Sequence, residues 1–284
     1  FSELESLAAS VHTTARWDAQ VRSLLQLVEG LEDTEESTEE NSEKGTEKAL
    51  DKGAQDSPAL QKTSRKKTSR QIIPSCPVPT GLQATLRPYQ VEGFQWLSFL
   101  YEQRLGGILA DDMGLGKTVQ ALALLAHAIE EHSTAAPGEP FAPFLVVAPT
   151  SVITNWAAEA ERFLPEAKVV AITETTAGKT PLAERIAGAH LVLTSYTLLR
   201  MDEDAYTGYA RTLGRTVDEF TGEQSAPEGW GALLLDEAQF VKNTGTRAWS
   251  IARAMPARAK IAMTGTPIEN NLMELWALLA IVAD

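Results

Sequence analysis

The segment from Gly107 to Glu131 restricts the possible folds of this chain more than any other. A short apolar run, Gly107-Ile108-Leu109-Ala110, leads into Asp111-Asp112-Met113-Gly114-Leu115-Gly116-Lys117-Thr118, and an Ala/Leu-rich stretch follows. Strand, glycine-bearing turn, Gly-Lys-Thr and helix, in that order, make a phosphate cradle. The backbone N–H groups of Gly114, Leu115, Gly116, Lys117 and Thr118 would surround an anion at a helix start, where peptide dipoles favour negative charge. Lys117 supplies a point charge for the outer phosphates of a nucleoside triphosphate, and the Thr118 hydroxyl suits Mg²⁺. Val119 completes the nucleotide-binding stretch, whereas Asp111 stands where Gly or Ala usually opens the motif.

A second segment supplies the matching carboxylates. Leu233-Leu234-Leu235-Asp236-Glu237-Ala238-Gln239 is an apolar strand ending in an acidic pair. Mg²⁺ takes one or two carboxylates beside phosphate oxygens and waters, so Asp236 is placed to hold the ion. Glu237 is placed to orient or deprotonate the water that attacks a γ-phosphate. Each segment alone admits a bland reading, a chance glycine turn or a surface acidic pair closing a buried strand. Together they specify hydrolysis of a nucleoside triphosphate with Mg²⁺ as a cofactor.

Four further blocks keep the same order along the chain. Leu86-Arg87-Pro88-Tyr89-Gln90 precedes the phosphate loop, and Val146-Val147-Ala148-Pro149-Thr150-Ser151 and Leu193-Thr194-Ser195-Tyr196 follow it. Met263-Thr264-Gly265-Thr266-Pro267-Ile268-Glu269-Asn270-Asn271 comes near the end. With Asp-Asp-Met-Gly-Leu-Gly-Lys-Thr, this series resembles the first RecA-like motor lobe of the Swi/Snf-type ATPases of helicase superfamily two, over roughly residues 82–284. The resemblance implies that Gln90 reads the adenine edge with Arg87 and Tyr89 close to the base. It implies that Pro149, Thr150, Ser151, Thr194 and Ser195, just past their strands, touch the phosphates of one DNA strand. Thr264, Gly265 and Thr266 would couple nucleotide state to lobe movement. Gln239 departs from the His that many members carry, which points to altered coupling rather than a dead site. The Ala-rich composition and Asp-Glu-Ala-Gln fit a bacterial member better than a eukaryotic one.

The rest of the chain fits an α/β fold, a parallel sheet with helices on both faces. Strands are expected at 107–110, 144–148, 168–172, 191–195, 232–236 and 260–264, with helices at 117–131, 151–163 and 268–282. Ser133–Pro143 reads as a plain connection, and 202–230 as a long surface insertion with room for a short helix. Upstream, residues 1–30 carry helix-like apolar spacing and read as the tail of a preceding domain. Residues 31–75 read as a disordered linker, acidic and then basic at Lys62–Arg70, before a motor lobe at 76–284. The net charge of −13 argues against simple nucleic-acid binding, although acidity is concentrated in residues 32–56, a segment not expected to touch DNA. One cysteine excludes a disulfide framework, and no apolar run reaches membrane-spanning length.

Double-stranded DNA, an unknown protein cargo on it and a second motor lobe are the implied partners; no membrane is. The implied activity is ATP-driven translocation on duplex DNA that remodels protein–DNA complexes. Its location would be cytoplasmic, at the nucleoid of a bacterium or in the nucleus of a eukaryote. Because the second lobe would supply arginines, this chain alone is expected to hydrolyse ATP very slowly. A strand-separating DNA or RNA helicase, a nucleotide-gated scaffold and a metabolic kinase stand as alternatives.

Overall fold

Six short runs of Val, Leu, Ile and Ala pair side by side, every one parallel to its neighbours. They are β1 (Gly107–Leu109), β2 (Phe144–Ala148), β3 (Val169–Ala171), β4 (Leu191–Ser195), β5 (Ala232–Asp236) and β6 (Lys260–Met263), in the order β1-β6-β5-β2-β4-β3. The computed structural model describes residues 76–176, 180–214, 228–266 and 272–283. The expected helical tail at 1–30, the linker at 31–75 and Pro267–Asn271 therefore lie outside the described residues.

Near-continuous apolar strands are what a sheet covered on both faces requires. Phe144, Val146, Leu193 and Leu234 point to one side, against α1 (Pro88–Glu102), α2 (Lys117–Ala135) and α3 (Thr150–Phe163). Leu145, Val147, Val192, Leu233 and Leu235 point to the other. That face is covered by α4 (Leu182–Arg185), α5 (Tyr196–Met201), α6 (Glu203–Ala210), α7 (Arg247–Ala254) and α8 (Leu272–Val282). Each fully buried leucine in these layers contributes about 1.5–3 kcal/mol.

The helix α1 falls where the sequence reading saw only a base-contacting block. Its signals are local. Pro88 occupies the first turn, Gln90 Oε1 accepts the Arg87 N–H at 2.9 Å, and Phe94, Leu97, Leu100 and Tyr101 recur at helical spacing. Helix α2 runs to Ala135, past the expected end; in its last turn Ser133 and Thr134 donate their hydroxyls to the carbonyls of Ile129 and Glu130, and the Ala136 N–H closes it on the His132 carbonyl. The insertion at 202–230 carries α6, while 215–227 lie outside the described residues. Among the described residues one Cys–His–carboxylate group occurs: Cys76 Sγ lies 3.6 Å from His127 Nδ1, and Glu102 Oε1 lies 3.0 Å from Nε2. Both ring nitrogens are engaged, so the imidazole ties residue 76 to α1 and α2. Among those residues no helix is long and apolar enough to cross a membrane.

Register sets the working edge. Leu109 pairs with Met263, which pairs with Asp236, so β1, β6 and β5 end level with one another. The loops that follow them open side by side at the carboxyl ends of the strands, where open α/β sheets place their ligands.

Candidate functional site

Gly114 and Gly116 take positive φ values of 81° and 84°, a region closed to most side chains. A Cβ at Gly114 would meet nothing within 4 Å, so the loop is open towards solvent there. A Cβ at Gly116 would lie 2.4 Å from Gln90 Nε2, so that glycine is required by a neighbour as well as by its backbone. Lys117 Nζ donates to the carbonyls of Asp111 at 2.8 Å and Asp112 at 3.2 Å, folded over the loop it would share with phosphate. Asp111 in turn accepts from Gln120 Nε2 at 2.8 Å, which gives the acidic first position of the motif a partner.

Gln90 is committed locally. Its Oε1 caps α1, and its Nε2 donates to the Leu115 carbonyl at 3.0 Å, beside the Tyr89 hydroxyl at 3.2 Å. Tyr89 and Gln90 thus brace the phosphate loop. One N–H and one lone pair of the Gln90 amide are left for a base edge. Arg87 is exposed at the head of the same helix, and Thr118 and Val119 stand half-buried in the first turn of α2.

The carboxylates converge on this loop. Asp236 is buried, with Oδ2 accepting from Trp156 Nε1 at 2.8 Å and Oδ1 from the Glu237 N–H at 3.0 Å. Burial pushes its carboxyl above the ordinary range; the Trp156 and Glu237 donors and the Lys117 charge pull it back, and the Glu237 charge raises it. Tyr196 donates its hydroxyl to the Asp236 carbonyl at 2.8 Å. Glu237 itself sits at φ 50° and ψ 55°, a left-handed conformation that is costly for a residue with a side chain. Its Oε2 accepts from Gln239 Nε2 at 2.8 Å, and Gln239 Oε1 accepts from Thr264 Oγ1 at 3.0 Å. Thr264 Oγ1 also accepts the Thr266 N–H at 3.1 Å. A Cβ at Gly265 would lie 3.0 Å from Met113 Cγ and 3.4 Å from Met113 N, so the loop after β6 packs directly on the phosphate loop.

The residues expected to meet DNA divide into two groups. Thr150 and Ser151 are exposed at the start of α3, with Pro149 as its N-cap. Thr194 and Ser195 belong to β4 itself and are buried. The Thr194 hydroxyl pairs with Tyr206 at 2.7 Å, and Ser195 Oγ accepts the Leu198 N–H at 3.2 Å to cap α5. Both hydroxyls are thus engaged within the fold. The two residues end a strand and start a helix, and as placed their hydroxyls face inward.

Open glycine space, a lysine folded onto it, a threonine in the first helical turn and a buried aspartate with free lone pairs suit a Mg²⁺-bound triphosphate. Comparison with known proteins agrees. The model of the SNF2-related domain family matches residues 89–283. The chain belongs to this family. Relatives include the chromatin-remodeling ATPase INO80 of Arabidopsis thaliana, 41% identical over 210 residues, which are 71% of this chain and 12% of that protein. The INO80 of Drosophila melanogaster is 35% identical over 223 residues, 75% of this chain and again 12% of the relative. The chain thus spans about an eighth of the length of these relatives. Among solved structures, the Sulfolobus solfataricus SWI2/SNF2 ATPase core in complex with dsDNA superposes with a TM-score of 0.57 at 30% identity, covering 74% of this chain and 38% of that one. The Sulfolobus solfataricus SWI2/SNF2 ATPase core domain gives 0.56 at 31%, covering 72% and 36%. The expected Swi/Snf-type fold and family are thereby established. Sequence reasoning did not identify Trp156 and Tyr196 as neighbours of Asp236. The only signal was that a buried indole or phenol needs a partner, and that partner lies 80 and 40 residues away.

Proposed function

We propose that this chain is the first motor lobe of a duplex-DNA-stimulated ATPase that moves along the duplex without obligatory strand separation and remodels protein–DNA complexes. One connected path carries the reading. The phosphate loop touches Gly265, Thr264 bonds Gln239, and Gln239 bonds Glu237. Nucleotide and the loop expected to signal lobe movement therefore share one set of contacts. The names of the relatives and of the DNA-bound neighbour support ATP as fuel and duplex DNA as track.

Each residue has a defined task in this reading. Lys117 leaves the Asp111 and Asp112 carbonyls to meet the outer phosphates. Thr118 and Asp236 would hold Mg²⁺, which would supply charge neutralisation on the phosphate oxygens. Glu237, aimed by Gln239, orients the attacking water and accepts its proton. Arginines from a second lobe would offset the charge that builds on the transferring phosphoryl group, an effect on the order of 10³–10⁵ in rate. Pro149, Thr150 and Ser151 grip a DNA backbone, contacts that set register without reading sequence.

The test is phosphate release by the full-length protein titrated with duplex DNA, single-stranded DNA and RNA, beside Lys117→Ala. Stimulation specific to duplex and lost in the variant is the expected result. Stimulation by RNA alone, or equally by every polymer, would instead assign a helicase acting on single strands.

A further inference from the structure

Helix α3 connects two parts of the molecule with different proposed tasks. Thr150 and Ser151 stand exposed at its first turn, and Trp156 lies inside, 1% exposed. The rise of an α-helix places Trp156 about 9 Å along the axis from Thr150. From there its indole N–H crosses to β5 and donates to Asp236 Oδ2 at 2.8 Å. The other carboxylate oxygen takes the Glu237 N–H, so each oxygen has one fixed donor and the plane of the carboxylate is set. A second wall of the same pocket comes from Tyr196, whose hydroxyl holds the Asp236 carbonyl and whose ring stacks on Phe240 with centroids 5.5 Å apart and planes 11° apart. Glu159, one turn beyond Trp156, also responds to Asp236, its carboxyl raised first by burial and then by that charge.

A phenylalanine would keep an apolar ring here but leave a cavity and no donor. The buried indole of Trp230 has no hydrogen-bond partner among the described residues, so this fold does tolerate an unpaired one. At Trp156 the N–H is instead spent on the one buried carboxylate of the nucleotide site.

We infer that Trp156 is a positioning residue. It carries displacement of α3, gripped at Thr150 and Ser151 by duplex DNA, to the orientation of the Asp236 carboxylate, and so makes Mg-nucleotide affinity respond to DNA. This rests on the proposed DNA-stimulated ATPase reading. Coupling between two ligands is reciprocal and commonly on the order of 5–150-fold.

The experiment measures that coupling without turnover. A fluorescent non-hydrolysable ATP analogue is titrated into the full-length protein at several Mg²⁺ concentrations, with and without saturating duplex DNA; DNA affinity is measured separately by anisotropy. In wild type, duplex should tighten nucleotide binding. Trp156→Phe should reduce that factor towards one and raise the Mg²⁺ needed for half-saturation, with DNA affinity in the absence of nucleotide unchanged. Benzothienylalanine at position 156, isosteric with tryptophan but lacking the N–H, should reproduce the effect, and it decides the matter if the phenylalanine variant melts early. An unchanged coupling factor in the isostere, or a loss of DNA affinity instead, overturns the inference. A wild-type factor of one also overturns the inference, since no coupling is left for Trp156 to carry; the DNA-stimulated reading beneath it fails separately, if duplex leaves phosphate release unchanged.

Discussion

Thr264 Oγ1 donates to Gln239 Oε1 at 3.0 Å while Gln239 Nε2 donates to Glu237 Oε2 at 2.8 Å, so one amide joins the loop after β6 to the carboxylate proposed to orient the attacking water. Only a side chain with a donor and an acceptor on one head can make both bonds. Gln239→Ala should lower duplex-stimulated phosphate release by about 10- to 100-fold, the worth of a hydrogen bond to a charged group. Affinity for a non-hydrolysable nucleotide should stay within about twofold of wild type, because the lost bonds orient water rather than substrate. An equal loss in affinity would mean that Gln239 acts in binding.

The strain at Glu237 gives a separate expectation. Glu237→Gly and Glu237→Ala remove the same carboxylate, and both should abolish turnover. Glycine relaxes the left-handed backbone that alanine retains. The glycine variant should therefore be the more stable of the pair in denaturant, by about 0.5–1 kcal/mol. Equal stabilities would show the backbone there to be unstrained.

Asp236 ties function to pH. Its carboxyl is raised by burial, so the folded protein holds that proton more tightly than the unfolded chain does. The folded state binds more protons just above the ordinary carboxylate range, and stability falls as pH rises through that window. Asp236→Asn removes the buried charge and keeps an oxygen for the Trp156 N–H, but turns an amide N–H onto the Glu237 N–H that Oδ1 accepts in wild type. Measured relative to wild type, its melting temperature should rise as pH rises through that window and fall as acid protonates the wild-type carboxyl. A relative melting temperature that rises in acid would reverse this sign.

His190 gives the opposite slope. Burial, then the nearby Lys168 and His132, hold its imidazole below the ordinary value, and its Nδ1 accepts the Lys168 N–H at 2.9 Å. The unfolded chain takes the proton first, so this contribution is complete above the ordinary imidazole value and lost as pH falls through the folded one. His190→Asn, which can accept the same N–H at Oδ1, should flatten the acid side of the stability curve. A curve of unchanged shape would place the sensitivity elsewhere.

What the sequence revealed depended on how local the cause was. All six strands lie within a residue or so of their expected limits, because an apolar run bounded by turn residues is decided by its own side chains. The phosphate loop and the Asp236-Glu237 pair were legible for the same reason. Pro88 and Gln90 announce the start of helix α1, but the same residues also fit a base-contacting block, and that second pattern masks the first. The partners of Thr194 and Ser195, Tyr206 and the turn into α5, depend on how the chain folds back and leave no mark in the local sequence. The Trp156 contact to Asp236 spans 80 residues and leaves no trace in spacing.

Leu109, Met263 and Asp236 share one row across three strands, so distances within the site are counted in rungs of the ladder and not in loop residues. The connection from α6 enters β5 at Ala232, the end remote from Asp236, and its length can drift without detuning the chemistry. A single-residue slip of β6 against β5 is another matter. It would carry Thr264 about 3.3 Å along the strand and turn its hydroxyl to the opposite face, out of reach of Gln239. The sheet behaves as a gauge block, indifferent to additions at one end and intolerant of them at the other.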